Sequence, residues 1–261
     1  MTEQFLSSRR PLTAAQHGIW LGQSLVGKSS LYWTAECVEL LGDLASAPLR
    51  AAIEHALSEA RCLHVRFGYA ASGAWHEPVA VQVPVGEFDF SHTEDPWQAA
   101  LDFMQRDLRA EADLAVGPLF STALLRLAPA RHVWYLRVHH IAADGYAFSL
   151  IFKRVAEVFA ALERGAACAR REAPVLDVLL AEEAAYRASA AFTRDARFFN
   201  EPWQNAPQVA RELPAKALGA EALRARAHIA AETVAQWQSA AAAERVELSA
   251  WLLAASFAWL T

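Results

Sequence analysis

The stretch VHHIAADGYAFSL, residues 138–150, is the most informative part of the chain for its fold and carries its most distinctive chemistry. Two adjacent histidines, His139 and His140, end an apolar run, and the pair Asp144 and Gly145 follows within a few residues. The run before the histidines is typical of a strand, and large apolar residues recur at helical spacing after the Asp-Gly pair. The stretch therefore predicts a strand that turns directly into a helix.

The two histidines are predicted to face opposite ways, because side chains alternate between the two faces of a strand. In HVWYLRVHH, the residues that share one face are Trp134, Leu136, Val138 and His140, and those that share the other are Val133, Tyr135, Arg137 and His139. His140 then lies beside a helix N-terminus, whose free N–H groups can stabilise an oxyanion. Its imidazole is suited to handling the proton of an attacking amine or hydroxyl.

Asp144 and Gly145 are candidates for supporting roles. Asp144 either orients His140 or holds the loop through an arginine, and Gly145 lets the backbone approach a substrate because it has no Cβ. From the local pattern alone, a structural interpretation stays open beside the catalytic one, since a strand end with ordinary capping has the same residues.

The composition is that of a globular protein. The chain has 261 residues, of which 54% are hydrophobic and 20% charged, so it can bury a sizeable core in one large domain or two small ones. The net charge is -5 without a basic stripe, which argues against nucleic acid as a partner. The distant and odd-numbered Cys37, Cys62 and Cys168 indicate reduced thiols in a cytoplasmic protein.

We expect neither a metal site nor a membrane segment. Among the histidines outside the pair, His76, His92, His132 and His228 are isolated and lack the spacing of metal ligands. The N-terminus has no apolar segment of a secretion signal. The longest apolar stretch, LSAWLLAASFAWL at 248–260, is too short to span a bilayer and predicts a buried helix.

Helical and extended patterns alternate along the chain, which predicts an α/β protein with a mixed sheet. We expect Ser46 to cap a helix that has Pro48 in its first turn, and Asp95 to cap a helix that begins at Pro96. The linker APAR predicts an antiparallel hairpin between strands 119–127 and 132–140. Further predictions are strands at 33–40, 63–70, 74–83 and 222–230, a helix closed by Gly165, helical structure at 174–203, a loop at 205–220, and helices to the end.

The signature formed by His139, His140, Asp144 and Gly145 resembles the HHxxxDG motif of condensation domains in nonribosomal peptide synthetases. Other acyltransferases of the chloramphenicol-acetyltransferase-like superfamily share that motif, and three stretches narrow the resemblance. PLTAAQHGIWLGQSL (11–25) is similar to the family's opening motif, with Ala15, Gln16 and Trp20 in place; ADLAVGPLF (112–120) and PVLDVLLAEEAAYRASAAF (174–192) are similar to later segments. The matches follow the family's order along the whole chain.

The chain departs from the family at two motifs. The second motif, usually RHExLRTxF, stands as EARCLHVRF, with Glu59 and His64 in place of arginines, so no role of those arginines is carried over. A helix-to-strand junction explains this stretch. The opening motif has the variant GIW, which resembles condensation domains of siderophore assembly that often take an aryl acyl donor.

The resemblance implies a chloramphenicol-acetyltransferase-like two-layer sandwich with a mixed sheet. Residues 1–172 correspond to the N-terminal lobe carrying HHxxxDG, and residues 173–261 to linking helices and the start of a truncated C-terminal lobe. An arginine partner for Asp144 is then expected beyond Thr261. For the same reason, we expect residues 1–261 alone to be inactive.

The resemblance also implies amide formation in the cytoplasm between a carrier-bound acyl thioester and a carrier-bound aminoacyl acceptor. An upstream acyl or peptidyl carrier protein, acting in trans, brings the donor, and a downstream peptidyl carrier brings the acceptor. Both substrates ride on phosphopantetheine arms of these partners, and the chain itself binds no cofactor. His140 acts as general base or positioning group, while His139, Asp144 and Gly145 support it. Two alternatives remain: a free-standing acyltransferase of the superfamily, and a non-catalytic lobe that binds carrier proteins.

Overall fold

The computed structural model of the chain describes residues 9–71, 73–171, 176–201, 204 and 227–260. These residues fall into two units, one up to residue 194 and one from residue 195 onward. The elements are β1 Arg10–Pro11, α1 Ala14–Val26, β2 Trp33–Leu41, α2 Ser46–Glu59, a 3₁₀ turn Arg61–Leu63, β3 Val65–Ala70, β4 Gly73–Pro78, β5 Val85–Asp89, α3 Pro96–Leu108, β6 Phe120–Ala128, β7 Arg131–His139, α4 Gly145–Glu163, α5 Leu176–Arg187, α6 Ala190–Asn200, α7 Ala231–Ala243 and α8 Leu248–Leu260.

The larger sheet of the first unit has the strand order β2-β7-β6-β5. Strands β2, β7 and β6 pair antiparallel, and β5 pairs parallel to β6, so the sheet is mixed. The predicted α/β class with a mixed sheet is confirmed, and so is the hairpin between β6 and β7. Because β7 has a partner on each side, the strand that ends in the histidine pair lies inside the sheet.

Two apolar clusters cover the two faces of this sheet. Trp134, Leu136 and Val138 pack with helices α2 and α4 on one face, and Val133 and Tyr135 pack with helix α3 on the other. The alternation predicted for β7 is therefore present up to the end of the strand. Burying a side chain of this size contributes about 1.5–3 kcal/mol, so the packing on both faces fixes the position of β7.

A smaller sheet, in the order β1-β4-β3, brings helix α1 close to the end of β7. Val65 and Phe67 of β3 form a third buried cluster with Leu119 and Ile141, and Ile19 of α1 packs against it. Since Ile141 lies directly after the histidine pair, this cluster ties the turn after β7 to helix α1.

Of the two helix N-caps predicted from the sequence, one is present in the structure and the other is not. Asp95 caps α3, accepting a hydrogen bond from the N–H of Gln98 at 3.0 Å. The predicted cap at Ser46 is wrong, because the first helical hydrogen bond of α2 is accepted by the carbonyl of Ala45, one residue earlier. Ser46 is therefore the first residue of the helix, and the cap residue makes no side-chain hydrogen bond.

The strand predicted at 74–83 is shorter than expected. It ends at Pro78, and after a segment without regular structure the chain joins the larger sheet as β5, a strand that was not predicted from the sequence. Pro78 and Pro84 explain this change, because proline has no N–H to donate to a sheet ladder. The chain thus leaves one sheet at the first proline and enters the other after the second.

The predictions for the last part of the chain have different outcomes. The loop at 205–220 lies outside the described residues, as does most of the strand predicted at 222–230, and the described residues 227–230 form no strand. The helical stretch at 174–203 is divided into α5 and α6, with Ser189 Oγ accepting a hydrogen bond from the N–H of Phe192.

In the described part of the chain, no helix is both long enough and apolar enough to cross a membrane.

Helix α8 is not buried as expected. Its Leu253, Phe257 and Trp259 side chains are 60%, 62% and 84% exposed. Among the described elements helix α7 packs against α8, and a helix that is apolar all round cannot bury every side against α7 alone.

Candidate active site

The site lies where β7 ends and α4 begins. His139 is the last residue of β7, and Asp144 is the N-cap of α4. The turn between them is closed by a hydrogen bond of 2.9 Å from the N–H of Ala142 to the carbonyl of His139. The strand-turn-helix predicted from residues 138–150 is therefore present.

His140 is exposed and is held in one orientation by two hydrogen bonds. Its main-chain N–H donates to the carbonyl of Tyr32 at 2.8 Å, and its Nδ1 lies 3.2 Å from the carbonyl oxygen of Ala143. A carbonyl only accepts hydrogen bonds, so Nδ1 must carry the hydrogen. The neutral ring then has its lone pair on Nε2, which can accept a proton or a hydrogen bond from a substrate.

His139 has the opposite environment, with a fully buried side chain. Its Nε2 lies 3.3 Å from Oε1 of Gln23, and its Nδ1 accepts from the N–H of Ile141 at 3.3 Å. Burial, with smaller contributions from His140 and Arg137, lowers the pKa of His139 to about 4. His139 is therefore neutral at physiological pH and has both ring nitrogens engaged by the protein.

Asp144 and Gly145 both lie on the exposed side of the turn. Asp144 Oδ1 accepts a hydrogen bond from the N–H of Ala147 at 2.9 Å, which makes it the cap of α4. Within the described residues Asp144 forms no ion pair, so an arginine partner is not among them. At Gly145, no atom of the described chain beyond its neighbours lies within 4 Å of the place that a Cβ would take.

Helix α1 holds the turn through two buried glutamines whose roles the sequence analysis missed. Gln16 belongs to the capping box with Thr13, and its Nε2 lies 3.4 Å from the carbonyl of Ile141. Gln23 contacts His139, as described above. The signal available in the sequence was their separation of seven residues, which places both side chains on one face of the helix.

Arg137 brings a buried positive charge to the face of β7 that also carries His139. Its Nε lies 3.1 Å from Oδ2 of Asp107, and its guanidinium stacks 4.1 Å from the ring centroid of Trp33. Burial lowers the pKa of Arg137, although Asp107 acts in the opposite direction. Trp33 also meets the His139 ring edge-on, at 5.2 Å between centroids.

Glu59 has a larger role than the helix-to-strand junction expected from its motif. Its carboxylate accepts two hydrogen bonds from Arg154 of α4 at 2.7 and 2.9 Å and one from the N–H of Arg171 at 2.8 Å. The hydrogen bond from Arg154 is the main reason that the pKa of Glu59 falls to about 2. Glu59 therefore fastens the end of α2 to α4. His64, by contrast, bonds through Nε2 to the carbonyl of Leu57 at 2.9 Å.

In the ranges that the structure describes, no three His, Cys, Asp or Glu side chains gather as they would around a metal ion. The chemistry that this site offers is that of an oriented imidazole at the start of a helix. It can accept or pass on a proton beside backbone N–H groups.

Comparisons with known proteins point to one family. The sequence profile of the Condensation domain matches residues 7–261. The chain is 39% identical over 226 residues to an isonitrile lipopeptide synthase from Streptomyces coeruleorubidus, covering 85% of this chain and 15% of the relative. It is 33% identical over 222 residues to the enterobactin synthase component F of Escherichia coli O157:H7, covering 83% of this chain and 17% of the relative.

The same family appears among solved structures. A variant of the starter condensation domain of the rhizomide synthetase RzmA, in complex with C8-CoA, superimposes with a TM-score of 0.71 and 33% sequence identity. The match covers 76% of this chain and 46% of the solved one. The chain thus spans about half the length of this solved domain and a far smaller share of the curated relatives.

The chain has a mixed sheet with the histidine turn at the end of an inner strand. Its fold is the chloramphenicol-acetyltransferase-like α/β fold of the condensation domains that it matches. The chain belongs to the condensation domain family of nonribosomal peptide synthetases. The resemblance predicted from the HHxxxDG motif is confirmed.

Proposed function

We propose that the chain is part of a condensation domain that forms an amide bond between a carrier-bound acyl thioester and a carrier-bound aminoacyl acceptor. The observation that carries this proposal is the geometry of His140. Its Nδ1 hydrogen is directed to the carbonyl of Ala143, and the residue is exposed, which leaves the lone pair of Nε2 for a substrate in this proposal. An amine that attacks a thioester needs such an acceptor as its nitrogen becomes positively charged.

In the proposed reaction, the acceptor amine attacks the thioester carbonyl carbon. The new C–N bond forms, the C–S bond breaks, and the donor arm leaves as a thiolate. The proton lost by the amine passes to Nε2 of His140 and from there to the thiolate, or His140 only holds the amine in place. Both versions need the two arms to meet in one site, where proximity replaces a collision in solution.

The three other predicted site residues take supporting roles in this proposal. His139 is a neutral support beneath the turn, and Asp144 fixes the start of α4. The main-chain N–H of Gly145, in the first turn of that helix, is free of the helix's own hydrogen bonds, and in this proposal it donates to the thioester oxygen.

The proposed partners are carrier proteins in the cytoplasm. An upstream acyl or peptidyl carrier protein delivers the donor in trans, and a downstream peptidyl carrier protein delivers the acceptor, each on a phosphopantetheine arm. The similarity to a starter condensation domain solved with C8-CoA supports an acyl donor. Siderophore-type assembly is proposed from the GIW variant of the opening motif, and enterobactin synthase component F is among the relatives.

We further propose that residues 1–172 act as one lobe and that residues 173–261 lead into a second. The solved starter domain is about twice as long as the part that this chain matches, which supports this division. In this proposal residues 1–261 alone are inactive, because they match only about half of the solved starter domain.

A single-turnover assay with loaded carriers tests the proposed function, using the full-length protein that contains this chain. Mass spectrometry follows the amide product for wild type, for His140→Ala and for His92→Ala, which removes another exposed histidine. We expect His140→Ala to reduce product formation by about 100-fold or more, and His92→Ala to leave it unchanged. Carrier binding without product in the wild type would favour the non-catalytic lobe. Product formed from a soluble thioester, but not from a carrier, would favour the free-standing acyltransferase.

A further inference from the structure

The side-chain amide of Gln23 has only one orientation that satisfies its neighbours. Gln23 is buried, and its nitrogen lies 2.5 Å from the carbonyl oxygen of Gly27 and 3.2 Å from Oγ of the buried Ser29. The carbonyl of Gly27 can only accept, so the amide NH₂ must point to it. The amide oxygen of Gln23 is thereby directed at Nε2 of His139, 3.3 Å away.

We propose that Gln23 is a positioning residue for the active site: it holds His139 in the tautomer with hydrogen on Nε2 and so fixes the turn that presents His140. This inference rests on the proposed function only in assigning the reaction to His140. The tautomer and its consequences for the turn stand on hydrogen-bond geometry.

The tautomer determines how the turn is held. With the hydrogen on Nε2, the Nδ1 lone pair of His139 is free to accept from the main-chain N–H of Ile141 at 3.3 Å. The other tautomer, and the protonated ring, would both place an N–H against that N–H. Ile141 directly follows His140. If its N–H loses the hydrogen bond to His139, the main chain next to His140 is held less firmly.

The second glutamine of α1 completes the arrangement. Gln16 donates to the carbonyl of Ile141. Ile141 is therefore held through its N–H by His139 and through its carbonyl by α1. The main-chain N–H of His139 donates to the carbonyl of Leu119 at 2.9 Å, which fixes the start of the turn. Gln23 is thus the polar contact that joins α1 to the imidazole beneath the site.

The charged and titratable groups around His139 all oppose its protonation or leave it unaffected. The adjacent His140 and Arg137 of β7 both act to lower the pKa of His139. Tyr32 and Trp33 present rings, at 6.2 and 5.2 Å between centroids. A carboxylate placed at position 23 would reverse this balance.

Nuclear magnetic resonance of the imidazole nitrogens, in protein labelled with ¹⁵N at histidine, tests the proposal directly. We expect wild-type His139 to show a protonated Nε2 and an unprotonated Nδ1. In Gln23→Glu, we expect the pKa of His139 to rise by about 1–3 units, because the carboxylate stabilises the imidazolium. Ser24→Glu places the same charge on the neighbouring exposed position of α1 and leaves the titration of His139 unchanged.

The wild-type spectrum alone can overturn the proposal, even if a variant fails to fold: hydrogen on Nδ1 of His139 would contradict it. A titration of His139 that is the same in Gln23→Glu and wild type would contradict it as well. In the amide-forming assay, Gln23→Glu should lose activity as the pH falls through its raised His139 pKa and recover it above that pKa. If the spectra agree but no protein forms amide, the proposed function fails while the positioning role stands.

Discussion

Glu59 and Arg154 are joined by two hydrogen bonds of 2.7 and 2.9 Å, although 95 residues separate them in the chain. The pair connects the end of α2 with the middle of α4, the helix that starts at the histidine turn. Both side chains are largely buried, so water cannot readily solvate either charge if its partner is removed.

We expect Arg154→Met to lower the free energy of unfolding by about 3 kcal/mol, because it leaves the Glu59 carboxylate buried without its main partner. Arg50→Met is the matched control, since Arg50 of α2 pairs with Glu87 on the surface and should cost less than about 1 kcal/mol. Urea denaturation followed by circular dichroism measures both. Equal losses of unfolding free energy in the two variants would show that the buried pair contributes no more to stability than the surface pair.

The contribution of Glu59 to the free energy of unfolding should depend on pH. Its folded pKa of about 2 lies below the ordinary value of 4.5, so its stabilisation is present above pH 4.5 and is lost as the pH falls toward 2. The difference in unfolding free energy between wild type and Glu59→Gln should therefore narrow over that interval. Denaturation curves at several pH values check this, and a constant difference would contradict it.

Two glycines of α1 should respond differently to the same substitution. A Cβ at Gly22 would lie 2.0 Å from the hydroxyl of Tyr32, whose carbonyl holds the N–H of His140, whereas a Cβ at Gly18 meets no atom within 4 Å. We expect Gly18→Ala to stabilise the protein by about 0.5–1 kcal/mol through helix propensity, and Gly22→Ala to lose that gain by displacing Tyr32. Thermal unfolding of both variants measures the difference.

For Gly22→Ala we also expect slower amide formation, since the displaced Tyr32 supports the main chain of His140. Gly18→Ala should retain the wild-type rate. Equal stability and equal rates in the two variants would mean that the approach of Tyr32 to α1 has no bearing on the site.

Asp144→Ala should destabilise the protein by about 1 kcal/mol, because α4 loses its N-cap, while Asp144→Asn should keep most of the stability. Measuring amide formation beside stability then separates two roles of this residue. If Asp144→Asn keeps both stability and rate, the residue acts as a cap. A loss of rate at unchanged stability would show that its charge takes part in the chemistry.

Local patterns were enough to predict the elements that carry the site. The apolar alternation in β7, the large apolar residues of α4 and the linker between β6 and β7 are all short-range signals, and each led to the element that the structure has. The contrast between the two histidines was predicted from the same alternation, but in the structure it has another cause: His139 is the last residue of β7, and His140 lies in the turn after it.

What the sequence could not provide was pairing between distant residues. Gln23 and His139 lie 116 positions apart, and no periodicity links an amide in one helix to an imidazole at the end of a strand. Strand β5 was missed for a similar reason. Its five residues carry little signal of their own, and they form a strand because β6 offers a free edge for parallel pairing.

The inner position of β7 has a consequence for how the protein fails on heating. A strand with hydrogen-bonded neighbours on both sides and packed helices over both faces opens only when the whole unit opens. The histidine turn is rooted in that strand, so its amide protons at the strand end should be among the slowest to exchange with solvent. Inactivation by heat should then coincide with global melting, with no earlier step in which the site alone comes apart.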